Sequence, residues 1–238
     1  MKNLAINKKN GKLYRVIEKN IDANNGREGR FTFLYEQVDE SGVRFTRSEE
    51  EFCKKFILVK NNSDAINVLV SLVDEYKDFP REGILYKDLN PIFRIPAARH
   101  LAMYLLVETI KKQGWKFDCI VGIESRGFMM GFALAEELGV HFTPARKKNK
   151  LPGSKYSKVY DLEYGRDTIQ IQKDHVEGLK SAIVFDDLLA TGGTSNAVVE
   201  LLKEAGLNSH VLQLAVLPEV FKKSEHYGKF EVTALLSL

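Results

Sequence analysis

The stretch Ala182-Ile183-Val184-Phe185-Asp186-Asp187-Leu188-Leu189-Ala190-Thr191-Gly192-Gly193-Thr194 decides how the rest of the chain is read. Ala182 to Phe185 is an uninterrupted apolar run, the pattern of a strand buried on both faces of a parallel sheet. Two adjacent carboxylates, Asp186 and Asp187, follow at the expected strand end, and a Thr- and Gly-rich turn comes next. Apolar residues then recur at Ala197, Val198, Leu201, Leu202 and Ala205, the stripe of an amphipathic helix. Glycines let backbone N–H groups approach an anion, and a helix N-terminus adds partial positive charge, so strand, turn and helix together form a phosphate site. The carboxylates beside it suit vicinal hydroxyls, or a hydroxyl and Mg2+. The ligand implied is a phosphorylated sugar. Neither a P-loop G-x-x-x-x-G-K-[ST] nor a dinucleotide G-x-G-x-x-G is spelled here, which removes those nucleotide readings.

The 238 residues allow one sizeable α/β domain, or one with a small appendage. Hydrophobic content of 44% and charged content of 28% are ordinary for a globular chain. Cys53 and Cys119 fit neither a disulfide framework nor a zinc spacing, and both read as packed thiols of a reducing compartment. Residues 1–10 lack a signal-peptide apolar region, and no apolar run has the length of a membrane span. The expected location is cytoplasmic. Residues 1–60 hold 13 Lys+Arg against 9 Asp+Glu, and the remainder 22 against 23, so the net charge of +3 arises in the N-terminal quarter. That excess is too mild for a phosphate-tracking surface, and nucleic acid is not an expected partner.

Residues 1–60 read as a small β-rich extension, a partly open barrel with short strands around 12–18, 31–35 and 43–46, turns at Asn24-Asn25-Gly26 and 39–42 and a helical turn over 49–56. Its aromatics Tyr14, Phe31, Phe33, Tyr35 and Phe45 read as core. Residues 61–238 read as the main domain. Ser63 caps a helix running to Tyr76, residues 78–91 form an ordered loop, and Pro96 opens a helix reaching Gln113. A second strand–polar turn–helix unit follows: strand 117–123, the turn Glu124-Ser125-Arg126-Gly127, and a helix from Phe128 to Leu138 stopped by Gly139. Arg146 to Lys150 is a basic cluster, residues 148–166 a long connection, and strands follow at 168–172, 211–217 and 231–238. Alternating β and α elements predict a parallel sheet whose ligands gather beyond the strands' carboxyl ends. Both polar turns fall there, matching a ligand that carries phosphate at two ends.

Five ordered blocks resemble the adenine phosphoribosyltransferases, a branch of the type I phosphoribosyltransferases: residues 79–88, 122–128, 146–153, Leu162-Glu163-Tyr164-Gly165 and the opening stretch. The resemblance covers residues 64–238. It implies an α/β fold with a Rossmann-like parallel-sheet core, a hood and a flexible loop, and transfer of the phosphoribosyl group of phosphoribosyl pyrophosphate (PRPP) to adenine in purine salvage, with Mg2+. By that resemblance Asp186 and Asp187 bind the ribose hydroxyls and Ala190, Thr191, Gly192, Gly193 and Thr194 cradle the 5′-phosphate. Ser125 and Arg126 form the pyrophosphate loop, with a cis peptide at Glu124–Ser125. Arg126, with Lys147 or Lys150, neutralises the leaving group, and Arg146 is among the PRPP-binding residues. Glu163 meets the purine as proton carrier with Tyr164 beside it, and Glu163, Arg126 and Asp187 are the implied catalytic residues. Leu85, Tyr86 and Lys87 form the adenine hood, with Val220 or Phe221 over the base's second face. No protein-only metal site is implied, and the family's usual state is a homodimer. The alternative is a PRPP-sensing regulator that binds nucleic acid through residues 1–60.

Overall fold

In a computed structural model of the chain, residues 4–7, 13–21, 31–37, 43–59, 61–161 and 165–238 are described. They divide into two compact units, Met1–Ala102 and Met103–Leu238.

The first unit opens with β1 (Leu4–Asn7), β2 (Leu13–Ile21), β3 (Phe31–Gln37), β4 (Arg44–Ser48), α1 (Glu49–Lys55) and β5 (Phe56–Val59). These strands form one antiparallel sheet in the order β4-β3-β2-β1-β5. The Ser48 side chain caps α1 by accepting the Glu51 N–H at 3.3 Å, with three glutamates in the first turn where the helix dipole favours them. The aromatics build the core: Tyr14, Phe33, Tyr35, Phe52 and Phe56 are buried together, and Phe33 stacks on Phe52 with ring centres 4.4 Å apart. Phe45 is 38% exposed yet stacks on Tyr35 at 5.5 Å. Cys53 is exposed on α1, contrary to its reading as a packed thiol; Cys119 is buried, and burial pushes its thiol up to about 12. The expected turns at 24–26 and 39–42 lie outside the described residues.

Next come α2 (Asn62–Val70), β6 (Asp74–Lys77), β7 (Leu85–Asp88), α3 (Asn90–Arg94) and α4 (Pro96–Gln113). Two expectations fail here. The cap of α2 is Asn61, whose side chain accepts the Asp64 N–H at 2.9 Å, and the helix ends at Val70 instead of Tyr76. Residues 74–77 pair antiparallel with 85–88, so cross-strand pairing overrides the helical apolar period and turns residues 85–88 of the expected loop into a strand. Asp78 holds that hairpin by accepting the Gly83 N–H at 2.7 Å.

The second unit contains β8 (Cys119–Ile123), α5 (Arg126–Leu138), β9 (His141–Lys147), β10 (Lys155–Asp161), β11 (Arg166–Gln172), β12 (Ser181–Leu189), α6 (Gly193–Glu204), β13 (Asn208–Val216), α7 (Pro218–Phe221) and β14 (Val232–Ser237). Its seven-stranded sheet runs β10-β11-β9-β8-β12-β13-β14. The five strands β9, β8, β12, β13 and β14 are mutually parallel; β11 and β10 extend the edge antiparallel. The expected long connection 148–166 is therefore largely a hairpin. The interior strands alternate between two cores. Cys119, Val121, Ile123, Ala182 and Val184 pack with Ala197, Val198, Leu201 and Leu202 of α6. On the other face, Gly122 and Gly131 approach Phe142 closely, and Gly131 lies near Phe185, so α5 sits against the sheet there. Among the described residues no helix is long and apolar enough to cross a membrane.

Candidate active site

The chain leaves β8 for β9 on one side and later resumes at β12 on the other, so β8 and β12 are adjacent parallel strands at the switch point of the sheet. Both polar turns leave from their carboxyl ends. β12 is longer than its apolar run: it continues through Asp186 and Asp187 to Leu189, so the carboxylates are held in the strand instead of opening the loop. Alternation puts Phe185 and Asp187 on one face, and there Asp187, only 2% exposed, meets the Arg126 guanidinium with Nε 2.9 Å from Oδ2. The Glu124–Ser125 peptide is cis, as the resemblance implies. Gly127 is fixed by crowding: a Cβ there would stand 2.7 Å from the Phe185 carbonyl oxygen and 2.9 Å from Asp186 Oδ1. That closeness seats the start of α5 directly on β12.

Burial, with the neighbouring Asp187 charge, pushes the Asp186 carboxyl well above the usual range, although the Asp187 N–H donates to its Oδ1 at 2.9 Å. Burial also raises Asp187, opposed by Arg126. A carboxylate raised on folding retains a proton that the unfolded chain would release, so unliganded stability falls as pH climbs from the ordinary carboxylate pKa through the raised one. Asp186→Asn removes this burden. It is expected to raise the melting temperature of the free protein at pH 7.5 by roughly 2–4 °C, on the order of 1 kcal/mol, while binding of ribose 5-phosphate is lost. Calorimetric melting and titration check both; a lower melting temperature would contradict the assignment.

Around the first turn, Glu124 Oε2 accepts the Lys147 N–H at 2.9 Å and pairs with Arg146 Nε at 3.3 Å. Burial pushes the Glu124 carboxyl up, but the Lys147 N–H and Arg146 outweigh it and hold it below its usual range. Arg146 also donates to the Lys150 carbonyl at 3.3 Å. Lys147 Nζ pairs with Asp167 at 3.1 Å, which keeps its ammonium pKa raised. Ser125, Arg126, Arg146, Lys147 and Lys150 are thus gathered about one turn, and nothing but its place in the motif marks Glu124 in the sequence as their organiser. At the second turn, Gly192 has φ +84°, and a Cβ there would meet the Phe221 ring at 2.8 Å. Phe221 is buried against this turn, Tyr227 and Phe230, which leaves exposed Val220 as the candidate for the base's second face. Thr194 shares a hydrogen bond with the phenol of Tyr160, whose pKa is raised by burial. Sequence reading passed over Tyr160; its only signal was an aromatic at an inward position of a strand that had been read as loop.

The expected base-side residues lie in the first unit. Tyr86 packs edge-on to Phe79 at 5.1 Å, Leu85 is exposed, and the Lys87 ammonium pairs with Glu75 on β6. The two-stranded sheet β6-β7 leaves the outer edge of β7 unpaired among the described strands. Glu163 and Tyr164 lie outside the described residues. Among the described residues of the N-terminal module, Arg15 and Arg44 pair with Glu36, Lys19 with Glu49, and Lys54 of α1 with Glu50. Among the described residues of this module the aromatics Tyr14, Phe33, Tyr35, Phe52 and Phe56 are buried together, which leaves these rings unavailable as a stacking platform for bases.

A sheet with two anion turns and a carboxylate pair at its switch point defines a protein that handles a doubly phosphorylated sugar. A family model described as the phosphoribosyl transferase domain matches residues 89–227. The chain is 41% identical over 160 residues to the adenine phosphoribosyltransferase of Shewanella piezotolerans, covering 67% of this chain and 86% of that one. It also resembles the crystal structure of adenine phosphoribosyltransferase from Thermoanaerobacter pseudethanolicus, at 35% identity and TM-score 0.67, over 73% of this chain and 99% of the other. The Saccharomyces cerevisiae enzyme, complexed with D-2,5-dideoxy-2,5-imino-altritol 1,6-bisphosphate and adenine, matches at 34% identity and TM-score 0.67 over 73% and 99% of the two chains. The chain belongs to the phosphoribosyltransferase family, in its adenine phosphoribosyltransferase branch.

Proposed function

We propose that the protein transfers the phosphoribosyl group of PRPP to adenine, releasing AMP and pyrophosphate in purine salvage. The observation that carries this reading is the Arg126–Asp187 pair set between two anion turns on adjacent strands. The C1′–O bond to pyrophosphate breaks, the C1′–N9 bond forms, and the N9 proton leaves the base. Charge on the departing pyrophosphate needs fixed cations; Arg126, Arg146 and Lys150 are assigned to supply them, with the Ser125 turn positioning its oxygens, while Lys147 contributes through its backbone N–H to Glu124 and its ammonium is held by Asp167. Ala190 to Thr194 hold the 5′-phosphate at the N-terminus of α6, and Asp186 and Asp187 hold the ribose hydroxyls. Glu163 is assigned the N9 proton, with Tyr164 beside it, and Leu85, Tyr86 and Lys87 the base, read by the open edge of β7.

The donor set fits Mg2+. Asp186 is a carboxylate whose burial opposes its charge, and beside Asp187 it suits an ion that takes one or two carboxylates and keeps water and phosphate oxygens as its other ligands. Bound near Asp186 and Asp187, Mg2+ would neutralise pyrophosphate charge. We assign the protein to the cytoplasm, in keeping with its free thiols, treat residues 1–60 as an appended module, and assign a homodimer whose contact uses Met129 and Phe132, 53% and 59% exposed one turn apart on α5.

A panel of radiolabelled adenine, hypoxanthine and guanine with PRPP and Mg2+ tests the activity. Adenine is expected to be converted to AMP at least about 100-fold faster than the others, the discrimination that unmatched buried hydrogen bonds impose. No turnover with any base would overturn the assignment. The same preparation should scatter light as twice 27.0 kDa; a monomer would remove the dimer.

A further inference from the structure

We propose that His226 is a further residue of the 5′-phosphate cradle, presenting its Nε2–H to a phosphate oxygen beside the N–H of Gly193. The proposal rests on the phosphoribosyl reading above. The chain between α7 and β14 folds back over the turn that opens α6. Phe221 and Phe230 close on Gly192, where a Cβ would meet their rings at 2.8 and 3.4 Å. His226 closes on Gly193 in the same manner. Its Nε2 lies 3.4 Å from where a Cβ would stand, and the Asp161 carbonyl oxygen lies 3.3 Å from that point. Gly192 needs to be glycine for its φ of +84°, but Gly193 is outside the left-handed region. What glycine provides at 193 is room, and the imidazole occupies it.

The ring is held in place. Its side chain is 14% exposed, between two residues, Glu225 and Tyr227, that face solvent. The His226 N–H donates to Ser224 Oγ at 3.2 Å, and its carbonyl accepts the Lys229 N–H at 3.1 Å, so the backbone is fixed on both sides of it. Nδ1 is buried and has no hydrogen-bond partner among the described residues. A proton there would be a buried donor without an acceptor, so the neutral ring carries its proton on Nε2, the nitrogen beside the cradle. Glu225 Oε1 stands 3.8 Å from Nε2, beyond hydrogen-bond reach, and its exposed carboxylate also pairs with Lys229 at 3.9 Å.

The reach is sufficient. Gly193 is the first residue of α6, and its N–H has no partner within the helix, so it is one of the groups that face an anion there. A Cβ stands about 2.5 Å from its own backbone nitrogen, so the 3.4 Å contact puts Nε2 within about 6 Å of the Gly193 nitrogen. Two N–H donors on separate oxygens of one phosphate, each about 2.9 Å from its acceptor, span that distance.

His226→Phe keeps an aromatic ring and removes both nitrogens, whereas His226→Gln keeps an N–H donor near the position of Nε2. Titration calorimetry is expected to show ribose 5-phosphate binding about 5- to 10-fold weaker in His226→Phe, the scale of one hydrogen bond. In His226→Gln it should stay within about twofold of the unaltered protein, because the donor is retained. Mg2+-pyrophosphate binding should be unchanged in both variants, since it occupies the other turn. Unchanged ribose 5-phosphate binding in His226→Phe, equal losses in the two variants, or equal weakening of both ligands would overturn the proposal and leave His226 as packing. Failure of the unaltered protein to bind ribose 5-phosphate at all would instead overturn the phosphoribosyl reading on which this one stands.

Discussion

Arg126→Met is expected to lower kcat/KM for PRPP on the order of 10²–10³-fold, the usual loss when a fixed donor to developing negative charge is removed. Stability should fall as well, because Asp187 is almost fully buried and Arg126 Nε lies 2.9 Å from it. Removing one partner of a fully buried pair costs about 3–5 kcal/mol, but Arg126 is partly exposed, and screening by solvent reduces the expected loss to about 1–2 kcal/mol. Steady-state kinetics with thermal melting measure both. Arg126→Lys should recover most of the stability and little of the rate, since an ammonium cannot serve Asp187 and a phosphate oxygen with a planar fork. A lysine variant with near-normal rate would show that only the charge matters at this position.

The second large effect is expected at Gly127. Its missing side chain lets the first turn of α5 rest on β12, and Gly127→Ala would force a methyl group to within 2.7 Å of the Phe185 carbonyl oxygen. Neither backbone can yield without moving Asp186 or Arg126. Overpacking of this kind costs about 1–3 kcal/mol, and a displacement approaching 1 Å at reacting groups costs on the order of 10² in rate. Gly131→Ala, one turn later, provides the contrast: its contacts of 3.3–3.4 Å are with the Phe142 and Phe185 side chains, which can rotate, so both losses should be several-fold smaller. Comparable losses in the two variants would mean that helix propensity, and not approach to β12, governs Gly127.

The parts of the site legible from sequence were those made by local chemistry. An apolar run, a carboxylate pair and a Gly-Gly turn lie within 13 consecutive residues at 182–194, and their order alone implied strand, anion site and helix. The Glu124-Ser125-Arg126-Gly127 turn could be read in the same way. What escaped was set by distant pairing. Residues 74–77 carry a helical apolar period, but become a strand because 85–88 lie beside them. Residues 155–161 lack a clean alternation, since β10 is an edge strand with one face half open to water, so a polar run was read as a loop. β12 extends further than its apolar run implies: Asp186 and Asp187 look like a strand terminator, whereas pairing with β13 carries the backbone past them to Leu189 opposite Val216. Glu124 gained its role only through a residue 22 positions away, Arg146.

The antiparallel hairpin beside β9 has a consequence for how the basic block is read out in space. Lys147 lies opposite Ile169 and Arg146 opposite Gln170, and the next N–H along, that of Lys148, donates to the Thr168 carbonyl at 3.0 Å. Successive residues of a strand face opposite ways, so a slip of a single step would exchange the directions of Arg146 and Lys147. The arginine would then lose Glu124 and the lysine Asp167. The edge hairpin therefore acts as a vernier: it converts a run of interchangeable positive charges into an ordered pair, one cation aimed at the first turn and the next turned toward the sheet's edge.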